Sequence, residues 1–135
     1  MSNPRPQVTP FLMFEGRAEE AMTFYLSLFD GAVESIERYG PEGPGPEGSV
    51  LVAAFTLAGQ RFLCIDSWVK HAFTFTPSVS LHVVCASEAE IDERFARLSE
   101  DGAVLMPLGE YPFSPRYGWL QDRFGVSWQL TLPPA

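Results

Sequence analysis

Lysine is nearly absent: Lys70 stands alone, and the eight arginines are scattered without a run. With a formal charge of −8, the chain repels polyanions, so neither nucleic acid nor an acidic membrane surface is an expected partner. Cysteine is as scarce. Cys64 and Cys85 each sit inside an apolar, strand-like run and neither belongs to a C-x-x-C pair, which points to buried free thiols in a reducing compartment. No window approaches roughly eighteen consecutive apolar residues, and Met1-Ser-Asn-Pro-Arg-Pro6 carries no apolar leader core. A cytoplasmic protein is expected.

What is present is apolar and aromatic. Hydrophobic residues make up 46 % of the chain and aromatics 13 %, with eleven Phe and three Trp, which excludes a disordered chain. At 135 residues the chain is one domain's worth and buries roughly two-thirds of its unfolded surface.

Pro10 to Phe14 reads as a short strand. From Gly16 the period changes. Ala18, Ala21, Met22, Tyr25, Leu28 and Phe29 recur at three and four, one face of a helix with Glu19 and Glu20 near its positive end and Gly31 expected as a left-handed cap. A strand is expected over 33–39, then a loop over 40–48, where four Gly and three Pro in nine residues leave no regular ladder. That loop reads either as a lid or as a merely mobile connection. Residues 49–57 and 60–66 form a hairpin across Ala58-Gly59, 68–77 an irregular crossing, and 78–85 a strand. Ser87 and Glu90 make a capping box for a second helix with Ile91, Phe95 and Leu98 on its apolar face, closed by Gly102. Residues 104–108 read as a strand and 109–117 as a Pro-interrupted loop. The chain closes on a hairpin about Asp122-Arg-Phe-Gly125, whose second strand sets Val126, Trp128 and Leu130 on one face and Ser127, Gln129 and Thr131 on the other.

The two halves have one plan: strand, helix ending near Gly, strand, Gly/Pro loop, hairpin. Gly31-Ala-Val33 and Gly102-Ala-Val104 lie 71 residues apart. The expectation is an α+β fold of two tandem β-α-β-β-β modules, about 8–67 and 78–132, in a single domain over 1–135. Their curved mixed sheets would enclose a cavity, with the helices on the outer face. A cavity suits a small-molecule ligand, and open sheet faces with abundant aromatics suit a homodimer.

This plan resembles the vicinal oxygen chelate (glyoxalase/bleomycin resistance/dioxygenase) superfamily, and within it the PhnB-like, 3-demethylubiquinone methyltransferase-like group. The matching residues are Ala18-Glu-Glu-Ala21, Phe24-Tyr25, Arg38-Tyr-Gly-Pro-Glu-Gly-Pro-Gly45, Ala58-Gly-Gln60, Cys64-Ile-Asp-Ser67, Phe75-Thr-Pro77, Ser80-Leu81, Gly118-Trp119 and Asp122 through Gln129. The resemblance implies a glyoxalase-like domain in which a divalent metal, held by His and Glu side chains from the first and last strands of the two halves, binds two neighbouring substrate oxygens. Carried over, those positions fall at or near Pro10, near Cys64 to Asp66, on Ser80 to His82, and on Gln129. Proline offers no side-chain donor, and an amide binds divalent cations more weakly than a carboxylate. The metal is therefore expected to be absent or weakly held, with Asp66, His82 and Gln129 as its candidate ligands.

Several residues carry two readings. His71 is a general base or ligand at the cavity mouth, or a solvated loop histidine. Asp66 is a catalytic group or ligand, or a turn-forming cap. His82 is a cavity-facing ligand contact or a hydrogen-bonded structural histidine. Gln129, Ser80, His82 and Trp119 are the candidate ligand-binding set, although Trp119, Phe73 and Phe75 also suit a core or dimer contact. No S-adenosylmethionine site is read, because the Gly cluster is broken by Pro and lies between antiparallel strands. Two functions follow: a metal-free binding protein of the bleomycin-resistance kind without methyltransferase activity, or a metal-dependent lyase, isomerase or dioxygenase acting on a small oxygenated substrate.

Overall fold

The computed structural model describes residues 5–134; Met1 to Pro4, part of the leader reading above, and Ala135 lie outside them. Eight strands and two helices follow each other in the order β1(Phe11–Phe14), α1(Ala18–Leu26), β2(Gly31–Arg38), β3(Val50–Leu57), β4(Gln60–Asp66), β5(Ser80–Val84), α2(Glu88–Ser99), β6(Ala103–Tyr111), β7(Ser114–Gln121), β8(Ser127–Thr131). They form two compact units, 1–70 and 71–135. This is the doubled β-α-β-β-β plan.

In the first unit the sheet order is β1-β4-β3-β2, with β1 parallel to β4 and the other pairs antiparallel. Helix α1 packs on β3 and β4, burying Ala18, Ala21, Met22 and Tyr25 against Ala53, Phe55, Phe62 and Cys64. It ends at Leu26, and residues 27–29 continue as a turn whose N–H groups still reach the carbonyls of 23–25, so Leu28 stays buried. The Ala58-Gly59 turn has positive φ at both residues, 48° and 85°, as a tight two-residue hairpin requires.

Two glycine expectations are corrected. Gly31 is not left-handed and does not cap a helix; it opens β2, where a Cβ would run into the Thr56 carbonyl oxygen. Gly102 likewise presses against the Gln121 carbonyl, and the left-handed residue after α2 is Asp101, φ 60°. The repeated Gly-Ala-Val therefore marks close strand approach in each unit, not a helix end.

The 40–48 segment is tied down at its base and packed within. Tyr39 N–H donates to Ser49 O and Gly48 N–H to Tyr39 O, both 2.9 Å. Tyr39 is buried, Gly45 lies against its ring, and its hydroxyl donates to Asp66 O. Arg38 grips both carboxylate oxygens of Glu19 at 2.7–2.8 Å and the Gly48 carbonyl at 3.1 Å.

The second unit has the order β5-β8-β7-β6, with β5 parallel to β8. Ser87 Oγ accepts the Glu90 N–H at 3.1 Å, the expected cap of α2, and Ile91, Phe95 and Leu98 face the sheet. The loop expected over 109–117 is instead strand: β6 runs to Tyr111, Pro112-Phe113 turns the chain, and β7 starts at Ser114. The two prolines that argued for a loop are accommodated: Pro112 lies in the turn itself, and Pro115 precedes the stretch of β7 that pairs with β8 from Tyr117 onward.

Candidate functional site

The Asp122 turn decides what β8 presents. Asp122 is buried; Oδ1 accepts the N–H groups of Phe124 (2.8 Å) and Val126 (3.0 Å), and Oδ2 accepts the indole N–H of Trp128 (2.9 Å). Gly125, at φ 93°, lets the turn close. Trp128 is thereby held on the α2 side with Leu120 and Leu130. Alternation then turns Ser127, Gln129 and Thr131 to the other face.

Register fills that face. On β5, Ser80 pairs with Ser127, His82 with Gln129 and Val84 with Thr131; on β7, Gln121, Trp119 and Tyr117 stand opposite the same three. Paired residues share a face, so Ser80, His82, Trp119 and Gln129, the four expected ligand contacts, lie together. Ser80 and Trp119 are engaged locally: Ser127 Oγ lies 2.6 Å from Ser80 Oγ and accepts the Trp119 indole N–H at 2.8 Å. His82 is exposed.

At one end of this face is a cleft of about 340 Å³ lined by His82, Val84, Phe113, Tyr117, Gln129 and Thr131 with the C-terminal 132–134 segment. That segment is held in place by Leu132 N–H donating to Arg116 O at 2.9 Å and by the Ser114 hydroxyl donating to Leu132 O at 2.8 Å. Tyr117 donates its hydroxyl to Gln129 Oε1 at 2.6 Å. Burial, then the nearby Tyr111, pushes the Tyr117 phenol above its ordinary value, so it remains a donor at neutral pH. Tyr111, Phe113 and Tyr117 form an aromatic wall, with Phe113 and Tyr117 edge to face at 4.8 Å.

Phe113 and Tyr117 were missed by sequence reasoning because 109–117 read as a loop, and the prolines after β8 carried no periodic signal. The signal available was the alternation Tyr117, Trp119, Gln121, which continues the face of Gln129. His71 is not among the cleft residues; it stacks on Phe73 at 4.7 Å in the crossing segment. Asp66 belongs to the first unit. Its Oδ1 accepts the N–H groups of Gly16 (3.0 Å) and Ala18 (2.8 Å), and its Oδ2 that of Val50 (3.1 Å). That geometry caps α1 and ties it to β3.

The donor set does not fit a resident divalent metal. Among the described residues, no three His, Cys, Asp or Glu side chains cluster. Asp66 spends both oxygens on backbone N–H groups, and the Gln129 carbonyl is taken by Tyr117. Both thiols are buried. Burial, reinforced by Asp66, raises Cys64 to about 12, and burial, reinforced by Glu90, raises Cys85 to about 11, so neither supplies a thiolate at neutral pH.

A family model described as 3-demethylubiquinone-9 3-methyltransferase matches residues 6–131. The chain belongs to this family. A solved structure described as a putative 3-demethylubiquinone-9 3-methyltransferase, PhnB protein, from Bacillus cereus is 62 % identical over 94 % of this chain and 99 % of its own, at a TM-score of 0.92. Two more distant structures share the glyoxalase-type fold. One is a glyoxylase/bleomycin resistance protein/dioxygenase domain from Frankia, 15 % identical over 98 % of this chain and 100 % of its own, TM-score 0.65. The other is a mutant fosfomycin resistance protein from Listeria monocytogenes, complexed with Mn(II) and a dihydroxypropylphosphonic acid, 12 % identical over 96 % and 93 %, TM-score 0.64. No curated protein matches the sequence. This member of the PhnB-like group thus has the paired modules and open mixed sheets of the glyoxalase-type fold. No helix among its described residues is long and apolar enough to cross a membrane.

Proposed function

We propose that this protein binds a small organic molecule in the cleft of its second unit and does so without a resident catalytic metal. The supporting observation is the Tyr117–Gln129 hydrogen bond, which among the described residues occupies the one side-chain carbonyl of the cleft and leaves His82 as its only strong metal-ligand type. The aromatic and apolar lining suits a ligand with a flat apolar body. Methyl transfer is not part of this reading. Both sheets are mixed, and the Gly/Pro segment joins two antiparallel strands, so no Gly-rich turn after a parallel strand is available for S-adenosylmethionine. We further propose a cytoplasmic homodimer, since Phe11, Val84 and Phe113 are each more than half exposed and need cover. Light scattering at micromolar concentration would return a monomer mass if that is wrong.

Thermal unfolding with excess Zn²⁺, Ni²⁺ or Mn²⁺ tests the metal reading. A site filled at a hundred times its dissociation constant adds about 2.7 kcal/mol; no change is expected. A metal-dependent rise abolished by Gln129→Ala would replace this reading with a metal enzyme.

A further inference from the structure

The hydrogen bond that occupies the Gln129 carbonyl also fixes the polarity of the cleft. An amide has one acceptor oxygen and a two-proton donor nitrogen. With Oε1 receiving the Tyr117 hydroxyl, the nitrogen is left as the polar end of Gln129 available to a ligand, and neither Nε2 nor the His82 imidazole bonds to another described side chain or backbone group in this structure. His82 stands directly across from Gln129 on β5 and carries at least one N–H in either protonation state. The Thr131 hydroxyl, the remaining polar group, is directed to Ser114 Oγ at 2.8 Å. One side of the cleft therefore offers two donors, Gln129 Nε2 and an imidazole N–H, with the second nitrogen of a neutral His82 as an acceptor beside them. The other side is Phe113, exposed at the tip of the β6–β7 turn and packed on Tyr117, beside Val84, Leu132 and Pro133.

We propose that the cleft selects planar aromatic molecules bearing an acceptor oxygen at one end, a carbonyl or carboxylate, with the ring against Phe113 and Tyr117 and the oxygen received by Gln129 Nε2 and His82. This rests on the reading of the cleft as a binding site and adds the chemical class of its ligand. A ligand offering an ammonium at the same place faces the Gln129 donor, and of the side chains there only one ring nitrogen of a neutral His82 and the Tyr117 phenol oxygen can accept its three protons, so at least one stays unpaired. The cost is that of a polar group desolvated without a partner.

Matched probes decide it. 2-Acetylnaphthalene and 2-naphthoate present an acceptor on the same ring system that 2-(aminomethyl)naphthalene presents with an ammonium; binding is measured by calorimetry, and the Gln129 side-chain amide is followed by ¹⁵N NMR. The acceptor probes are expected to bind at least about tenfold more tightly, the worth of one hydrogen bond and an avoided mismatch, and to shift the Gln129 amide signal. Gln129→Leu should abolish the preference while still binding the ring. Tyr117→Phe, which frees the amide to turn its oxygen inward, should lessen the preference without replacing Gln129. Each variant's melting temperature shows that it is folded. Equal binding of all three probes, unchanged in Gln129→Leu, would overturn the polarity and leave the binding site standing. Binding of none would remove the site and the polarity together.

Discussion

The two units share a frame and differ in what they show on the open face. Phe62 on β4 and Trp128 on β8 are the large residues under the helix of each unit. The next residue turns outward in both. In the first unit it is Leu63, paired across the parallel strand with Phe11; in the second it is Gln129, paired with His82. The buried side is held in each by an aspartate, but at different places: Asp66 ends β4 and receives the start of α1, whereas Asp122 locks the β7–β8 turn and receives Trp128. The shared plan keeps the geometry that positions a face, while the chemistry of that face differs between the units.

Removing the aspartates should break the comparison at its base. Asp66→Ala leaves two buried and one part-buried backbone N–H group without their acceptor and is expected to cost about 3–5 kcal/mol in urea unfolding. Asp122→Ala should cost about 2–4 kcal/mol, because two N–H groups and one indole lose theirs. A loss below about 1 kcal/mol for either would mean that water replaces the carboxylate and that the units are not anchored in this way.

A smaller effect tests the packing under the helix. Facing α1 the first unit has Ala53, paired with Cys64; facing α2 the second has Gly118, paired with Leu130, and a Cβ there would run into the Phe95 ring. Gly118→Ala should destabilise by about 1–3 kcal/mol through overpacking. Gly118→Ala combined with Phe95→Leu should recover part of that loss, measured as a double-mutant cycle.

The smallest expected effect belongs to the first unit. Its hydrogen bonds to Arg38 hold Glu19 below the ordinary carboxylate value of 4.5. A lowered carboxylate value contributes stability that is present above 4.5 and is lost as pH falls through the lowered value. Both groups are exposed, so the increment is slight and screened by salt. Melting curves from pH 6 down to pH 3 should show a shallow loss that is missing in Glu19→Gln.

The fold was legible because amphipathic period, capping and turn chemistry agreed along most of the chain. Gln60 to Asp66 has the bounds expected of it, and Ser87 caps α2 as its spacing with Glu90 implied. The failures have one physical origin, which is that local breakers were read without their tertiary setting. Gly31 and Gly102 look like helix caps in sequence, yet what they relieve is contact with a carbonyl of a neighbouring strand. Pro112 and Pro115 made 109–117 look like a loop, yet a two-residue turn and a strand start that is not yet paired with β8 accommodate them. The site suffered accordingly. Gln129 and His82 were legible by alternation, but Tyr117, which gives Gln129 its orientation, sat in a stretch assigned to loop.

The placement of the two cysteines has a practical consequence. Cys64 lies in the first unit and Cys85 in the second, both free and buried, so each half of the molecule has its own inert chemical clock. Alkylation of either thiol requires the surrounding structure to open, and the two sites fall on different peptides in a digest. Pulsed labelling read by mass spectrometry would thus time the opening of each half separately in one sample, with no engineered probe.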